Sequence, residues 1–212
     1  MLNDHKKILV LAPHIDDGEL GCGGTITKFA EEKKEVFYIA FSSAEKSVSK
    51  GLPKDILKKE VRKATKILGL PEKNLILFNY EVRDFPRYRQ EILDAMIRLD
   101  KKIKPDLILL PSTQDIHQDH QVILQEGLRA FKKISILGYE LPWNNYTFNT
   151  EAFMPLKEKH LLKKVKALSC YKSQSDRFYM SGDFIKSLAI TRGVQINKQY
   201  AEAFEVIRWI II

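Results

Sequence analysis

Two groups of residues in this chain have the types and the spacing for metal chemistry. The first is His14-Ile-Asp16-Asp17 and the second is His117-Gln-Asp-His120. Each sits just past a strongly apolar run, at 6–12 and 106–111. In an open α/β sheet the carboxyl ends of parallel strands share one crevice, and ligands bind there. Two sequence-distant clusters at such strand ends therefore face each other. Two His and one Asp around an open coordination position make a hydrolytic zinc site. A further Asp beside a ligand can serve as general base.

Simpler explanations account for parts of this pattern. One acidic residue after a strand is explained by an N-cap, but two carboxylates beside a His exceed that need. The glycines at 18, 21, 23 and 24 loosely resemble a dinucleotide-binding turn. They lack the third glycine at the required spacing, and two adjacent carboxylates would repel a pyrophosphate at the helix N-terminus. His117 and His120 share a face once a helix has begun. H-x-x-H alone is a weak signal; paired with the first cluster it is a strong one. His5 and His160 lie in Lys-rich polar contexts and read as exposed.

The elements that must position these residues follow from hydrophobic periodicity. Strands are expected at 8–12, 36–41, 74–78, 107–110 and 135–140, with helices at 22–33, 55–68, 88–103 and 119–132. The alternation implies a Rossmann-like α/β three-layer sandwich with a mainly parallel sheet. Gly69-Leu-Pro71 and Lys104-Pro105 supply helix stops. The polar stretch 42–54 reads as a mobile loop near the crevice. Past Pro142 come short helices at 156–169 and 181–189, then a β-rich tail at 204–212. That tail, Val-Ile-Arg-Trp-Ile-Ile-Ile from Val206, is too apolar to hang in water and too short to span a bilayer. It is expected to pair as a strand in its own sheet or with a second copy, which leaves a homo-oligomer open. No repeat, low-complexity tract or linker divides the chain, so one domain over 1–212 is expected.

Composition narrows the class. Apolar residues make up 44% and charged residues 29% of the 212, ordinary for a soluble globular protein. No apolar window is long enough for a membrane span, and the start lacks a signal-peptide core. Cys22 and Cys170 form neither a metal-type pair nor a disulfide framework, which suits a reducing cytoplasm. The net charge of +8 is scattered as Lys pairs at 6–7, 33–34, 58–59, 101–102, 132–133 and 163–164, read as solvated helix faces and ends. Nucleic-acid binding is not expected, because no basic stripe with groove-reading elements is found.

His14-Ile-Asp16-Asp17-Gly-Glu19-Leu-Gly-Cys-Gly-Gly24 and His117-Gln-Asp-His120 resemble the LmbE/PIG-L family of zinc-dependent N-acetylglucosaminyl de-N-acetylases. The family's first motif is usually His-Pro-Asp-Asp; Ile15 here replaces a Pro that carries no chemistry. Cys170-Tyr-Lys-Ser-Gln174 and Tyr200-Ala-Glu-Ala-Phe204-Glu also look like family segments. The resemblance implies that His14, Asp17 and His120 bind Zn2+ and that Asp16 is the general base. It implies that His117 steadies the oxyanion or protonates the leaving amine. Asp115 or Asp119 is expected to accept the second N–H of His117. Fe(II), Co(II) or Mn(II) can use the same ligands.

Many family members hold the sugar with an Arg whose position falls here near Leu57. Arg83 and Arg87 are candidates to replace it. Trp143 and Asn144, past a strand end, are candidates to line the sugar pocket, with core packing the plainer fate of Trp143. The expected activity is removal of the acetyl group from an N-acetylated amino sugar or its glycoconjugate by a zinc-bound water. Two alternatives stand beside it. One is a zinc amidase acting on a non-sugar amide or a thiol-precursor glycoside. The other is a catalytically silent metal-binding protein, against which the presence of Asp16 argues.

Overall fold

The computed structural model describes residues 5–48 and 51–211. Seven strands form one sheet: β1 (Lys7–His14), β2 (Glu35–Ser42), β3 (Leu75–Leu77), β4 (Leu107–Pro111), β5 (Ser135–Tyr139), β6 (Ala152–Leu156) and β7 (Tyr200–Arg208). Six helices accompany them: α1 (Asp17–Glu31), α2 (Ile56–Leu68), α3 (Arg89–Ile103), α4 (Gln118–Ala130), α5 (Glu158–Leu168) and α6 (Gly182–Val194). The strand order is β3-β2-β1-β4-β5-β7-β6. Pairings are parallel from β3 through β5, and only β7 runs against its neighbours.

The central strands read as continuous apolar runs because both faces are covered. Along β1, Ile8, Val10 and Ala12 join a core with α1, α2 and α5, while Leu9 and Leu11 join a second core with α3 and α4. The expected three-layer α/β sandwich is therefore the observed one. From β1 the chain builds outward to β2 and β3 on one side; β4 and β5 lie on the other. The direction of winding reverses between β1 and β4, and a crevice opens at their carboxyl ends.

The structure departs from the sequence expectations in identifiable places. Helix α1 begins at Asp17, five residues earlier than expected, and is kinked at Cys22 (φ −143°, ψ 26°). The glycine run does not form a turn; it lets the helix approach the sheet. A Cβ on Gly21 would stand 2.3 Å from Cδ2 of Tyr139. The amides of Gly24 and Thr25, freed by the kink, donate to the Glu202 carboxylate at 2.9 and 2.6 Å. Lys164 is not solvated: it is buried and pairs with Glu202 at 2.7 Å. His160 is buried as well, reaching Glu31 at 3.1 Å, and His5 lies against Trp209 with ring centroids 5.2 Å apart. Strand β6 went unread because it is a short edge strand containing Pro155, which an edge tolerates. The tail pairs within the sheet, but its strand runs Tyr200–Arg208, beginning earlier and ending earlier than expected; residue 212 lies outside the described residues. Of the loop 42–54, residues 49–50 also lie outside them.

Candidate metal centre

The parallel register Ile8↔Leu107 through Val10↔Leu109 sets the ends of β1 and β4 side by side. His14 is the last residue of β1, Asp16 holds the N-cap position of α1, and Asp17 opens that helix. Across the crevice His117 is the N-cap of α4, with His120 in its first turn. His14, Asp16, Asp17 and His120 are buried.

Three atoms converge at the centre. Asp17 Oδ2 lies 3.1 Å from His14 Nδ1 and 3.3 Å from His120 Nε2, and the two ring nitrogens are 3.3 Å apart. The outer nitrogens of both rings are already committed. His14 Nε2–H donates to Asp119 Oδ2 at 2.9 Å, and His120 Nδ1–H donates to Asp115 Oδ2 at 2.6 Å. These carboxylates fix the tautomers, so lone pairs face inward, the arrangement typical of metal-bound imidazoles. With both rings neutral, three acceptors face one another, an arrangement that only a cation, a proton or a metal ion, holds together. Zinc bonds of about 2.0–2.1 Å in a tetrahedral shell set donor atoms about 3.3–3.4 Å apart, close to the observed triangle. The donor set fits a divalent ion.

The protonation preferences carry the same message. Burial alone lowers His120, but the Asp17 and Asp115 carboxylates more than reverse this and raise it to about 10. For His14, too, burial is outweighed by Asp17 and Asp119, and its pKa is raised. Burial would raise Asp17, yet His120 and His14 hold it far below the usual carboxylate range. The centre attracts positive charge.

His117 is placed differently. One of its ring nitrogens lies within 4.8 Å of one from His14 and one from His120, which is close enough for a three-histidine set. However, its Nδ1 accepts the Asp119 backbone N–H at 3.1 Å. A neutral ring with Nδ1 accepting carries its proton on Nε2, where it is a donor and not a ligand. Burial and the neighbouring His120 and His14 lower its pKa to about 4. Asp115 takes the backbone N–H of His117 at 2.8 Å. Contrary to the sequence expectation, neither Asp115 nor Asp119 accepts a ring N–H of His117; their carboxylates serve His120 and His14 instead.

Asp16 occupies the N-cap position, yet its side chain caps nothing. Burial and the adjacent Asp17 raise its pKa to about 6, opposed by Arg177 and His14. Behind it, buried Glu19 receives hydrogen-bonding contact from the hydroxyls of Tyr38 and Tyr171. The same two hydroxyl oxygens lie 2.9 and 3.0 Å from the Ile15 carbonyl, so each single hydroxyl proton is shared between that carbonyl and Glu19, and the cluster holds the loop that carries Asp16.

A cavity of about 360 Å³ opens over these groups, lined by His14, Asp16, Asp17, His117 and His120 together with Arg83, Trp143 and Asn144. Leu57 lines it too, so the position where an Arg would be expected supplies an apolar wall. Arg87 is not brought there: its side chain is 79% exposed and pairs with Asp84 at 3.2 Å. Its neighbour Arg83 is turned inward by a left-handed backbone (φ 68°), held because its N–H donates to Asp119 Oδ2 at 2.6 Å. Sequence reasoning missed Gln174, Arg177 and Tyr179, which line the far wall. Gln174 ends the Cys170–Gln174 segment and Arg177 and Tyr179 follow it; only the return of the chain to the crevice before α6 brings them in. Tyr179 stacks on Trp143 with ring centroids 4.0 Å apart and planes within 12°.

A protein of Escherichia coli (strain K12) described as uncharacterized deacetylase YaiS is 28% identical over 177 residues, covering 81% of this chain and 93% of that protein. The structure of N,N'-diacetylchitobiose deacetylase from Pyrococcus horikoshii, complexed with its inhibitor MPG, superposes with a TM-score of 0.80 at 22% identity, over 97% of this chain and 85% of that one. GalB, the 4-carboxy-2-hydroxymuconate hydratase of Pseudomonas putida KT2440, superposes with a TM-score of 0.79 at 20% identity, over 98% of both chains. The fold thus hosts more than one chemistry, and the reaction must be read from the residues of the site. The sequence profile of the family described as PIG-L: GlcNAc-PI de-N-acetylase matches residues 9–131, more than half of the chain and both halves of the His/Asp centre. On that match the chain belongs to the PIG-L family of deacetylases.

Proposed function

We propose that this deacetylase removes the acetyl group from N-acetylated amino sugars or their conjugates, with His14, Asp17 and His120 holding a zinc ion. The observation that carries the reading is the triangle of inward-facing acceptors beside an uncommitted Asp16 at the floor of a sugar-sized cavity. When bound, a divalent ion supplies Lewis acidity, acidifying a water and polarising the acetamide carbonyl. The chain's own residues do the rest.

With a pKa of about 6, Asp16 is ionised at neutral pH yet basic enough to take the proton of the attacking water. Attack on the acetamide carbon makes the carbonyl oxygen an oxyanion. His117 Nε2–H is a neutral donor aimed from the opposite side of the crevice and supplies the hydrogen bond that steadies it. Departure of the amine needs a proton on nitrogen, because an amide anion is a very poor leaving group. His117, at about 4, holds no second proton at neutral pH. The carboxyl of Asp16, protonated in the first step, is the source that remains. The stacked Trp143 and Tyr179 give the sugar ring an apolar wall, and Asn144 and Arg83 give its hydroxyls polar partners.

Fe(II), Co(II) and Mn(II) suit the same donor set, so the metal is proposed by class and zinc by preference. No helix among the described residues is long and apolar enough to cross a membrane; a cytoplasmic, single-domain enzyme is the proposed setting. The test is release of free amine from N-acetylglucosamine, N,N'-diacetylchitobiose and charged N-acetylglucosamine conjugates, with metal content measured on the same preparation. Metal-dependent release from at least one of them supports the proposal. A metal-loaded protein that releases none overturns it.

A further inference from the structure

We infer that Gln174 determines substrate specificity: its side-chain amide holds a hydroxyl of the same sugar ring that carries the acetamido group. The inference rests on the reading of the cavity as an acetamido-sugar site. Its support is an accounting of the buried polar side chains. Among the described residues, three of them make no hydrogen bond to another residue: Asp16, Thr25 and Gln174. The Thr25 hydroxyl is sealed from solvent. Asp16 and Gln174 both line the cavity. The first is the proposed base; the second has one acceptor and two donors to offer. Gln174 is only 3% exposed. Its amide oxygen and nitrogen are nevertheless not sealed off, so they open onto the cavity that the residue lines. Buried amides are nearly always hydrogen-bonded. A substrate that displaces solvent from the cavity must therefore give this amide a partner or leave it unsatisfied.

The fold fixes Gln174 beside the base. It ends a short turn closed by its own N–H, which donates to the Tyr171 carbonyl at 3.0 Å. The Tyr171 hydroxyl lies 3.0 Å from the carbonyl of Ile15, the residue before Asp16. Ser173, in the same turn, is anchored to α2. Its N–H and Oγ–H donate to the buried Glu60 carboxylate at 3.1 and 2.5 Å. Glu60 lies one helical turn along α2 from Leu57, which lines the cavity. Gln174 is thus clamped between the loop that carries Asp16 and the helix that carries Leu57. Its own carbonyl accepts the Arg177 N–H at 3.1 Å, so its backbone groups are spent and only the amide is free. Leu57 gives a sugar hydroxyl nothing to bond on that wall; the Gln174 amide does. A neutral amide can donate to and accept from one hydroxyl or a vicinal pair.

The experiment is a double-mutant cycle in which the substrate supplies the second change. Amine release by metal-loaded wild-type and Gln174→Leu protein is measured with the N-acetyl sugar that the wild type deacetylates fastest. It is measured again with forms of that sugar lacking, in turn, each hydroxyl of the reacting ring. Leucine keeps the bulk and loses the amide. On the intact sugar Gln174→Leu should lower kcat/KM by about 3- to 10-fold, the worth of one uncharged hydrogen bond. One deoxy form should lose a similar factor with wild-type protein and lose nothing further with Gln174→Leu. The other forms should keep the full effect of the substitution. Gln174→Ala should show the same coupling with the same deoxy form. Thermal unfolding of ligand-free protein separates reading from support: Gln174→Leu should melt no lower than the parent, because an apolar group replaces an unpartnered buried amide. Equal losses across every form, an unchanged kcat/KM on the intact sugar, or a Tm more than about 4 °C below the parent's would each overturn the inference. Wild-type protein that releases amine from no N-acetyl sugar is a different result; it strikes the deacetylase reading itself, and this inference with it.

Discussion

Glu202→Gln tests how the fold holds the helix that carries Asp17. Glu202 is 6% exposed and faces three donors. Its Oε1 accepts the Gly24 N–H at 2.9 Å and the Lys164 ammonium at 2.7 Å, and its Oε2 accepts the Thr25 N–H at 2.6 Å. Glutamine keeps the shape but has one oxygen. If that oxygen faces Gly24 and Lys164, the new NH2 points at the Thr25 N–H; turned over, it points at two donors. Either way a buried ammonium loses its counter-charge. Removing one partner of a buried ion pair costs about 3–5 kcal/mol, and the stranded backbone N–H lies within that figure. For a chain of this size each kcal/mol moves Tm by about 2–4 °C, so thermal unfolding followed by circular dichroism should shift down by about 6–20 °C. Adding Lys164→Met to the variant removes the uncompensated charge and should recover about 1–3 kcal/mol. A well-folded Glu202→Gln protein melting within about 3 °C of the parent would refute the reasoning, because the kinked α1 would then not depend on this anchor.

Three further outcomes follow from the geometry. Asp17→Ala should lose bound metal, whereas His117→Ala should keep it and lose turnover; metal analysis of both variants decides, and the reverse pattern would favour the three-histidine set. Asp16→Asn should retain metal and lose about 10²–10⁴-fold in kcat/KM. Because the base acts when ionised, wild-type activity should fall as pH drops through about 6 or, with a cation bound beside it, somewhat lower, and this limb should vanish in the variant. An unchanged acid limb would remove Asp16 from the base role. The same raised pKa means that the ionised Asp16 costs folding stability above that pH, so Asp16→Asn should melt higher than the parent when both are metal-free. Gly21→Ala places a Cβ 2.3 Å from the Tyr139 ring and should cost about 1–3 kcal/mol by overpacking, read by urea denaturation; a cost below about 0.5 kcal/mol would show that the ring moves freely.

The sheet and the His/Asp centre were legible because each rests on a local signal. Buried parallel strands read as unbroken apolar runs, and the His and Asp side chains at strand ends lie within a few residues of those runs. The start of α1 was hidden by Gly18 and Gly21. They look like turn residues in a sequence and become helix residues only because Tyr38 and Tyr139 leave no room for a Cβ. Lys164 read as solvent-facing because its partner Glu202 lies on β7, 38 residues away. Pro155 concealed β6 for the same kind of reason, since only its edge position makes a Pro acceptable there. Arg177 and Tyr179 escaped notice because no periodicity or motif marks a residue in an irregular segment; a cavity wall of this kind is made by tertiary contact alone. Arg83 and Arg87 look equivalent in sequence, and the left-handed backbone at Arg83, imposed by Asp119, separates them.

The most direct test of the central claim is a metal titration of protein stripped by chelation, with amine release from an N-acetylated amino sugar measured after each addition of Zn2+. The account predicts no activity at the start, a linear rise, and a plateau at one equivalent, with no rise in Asp17→Ala protein. Full activity in the stripped protein, or no amine release at any metal occupancy, would contradict it.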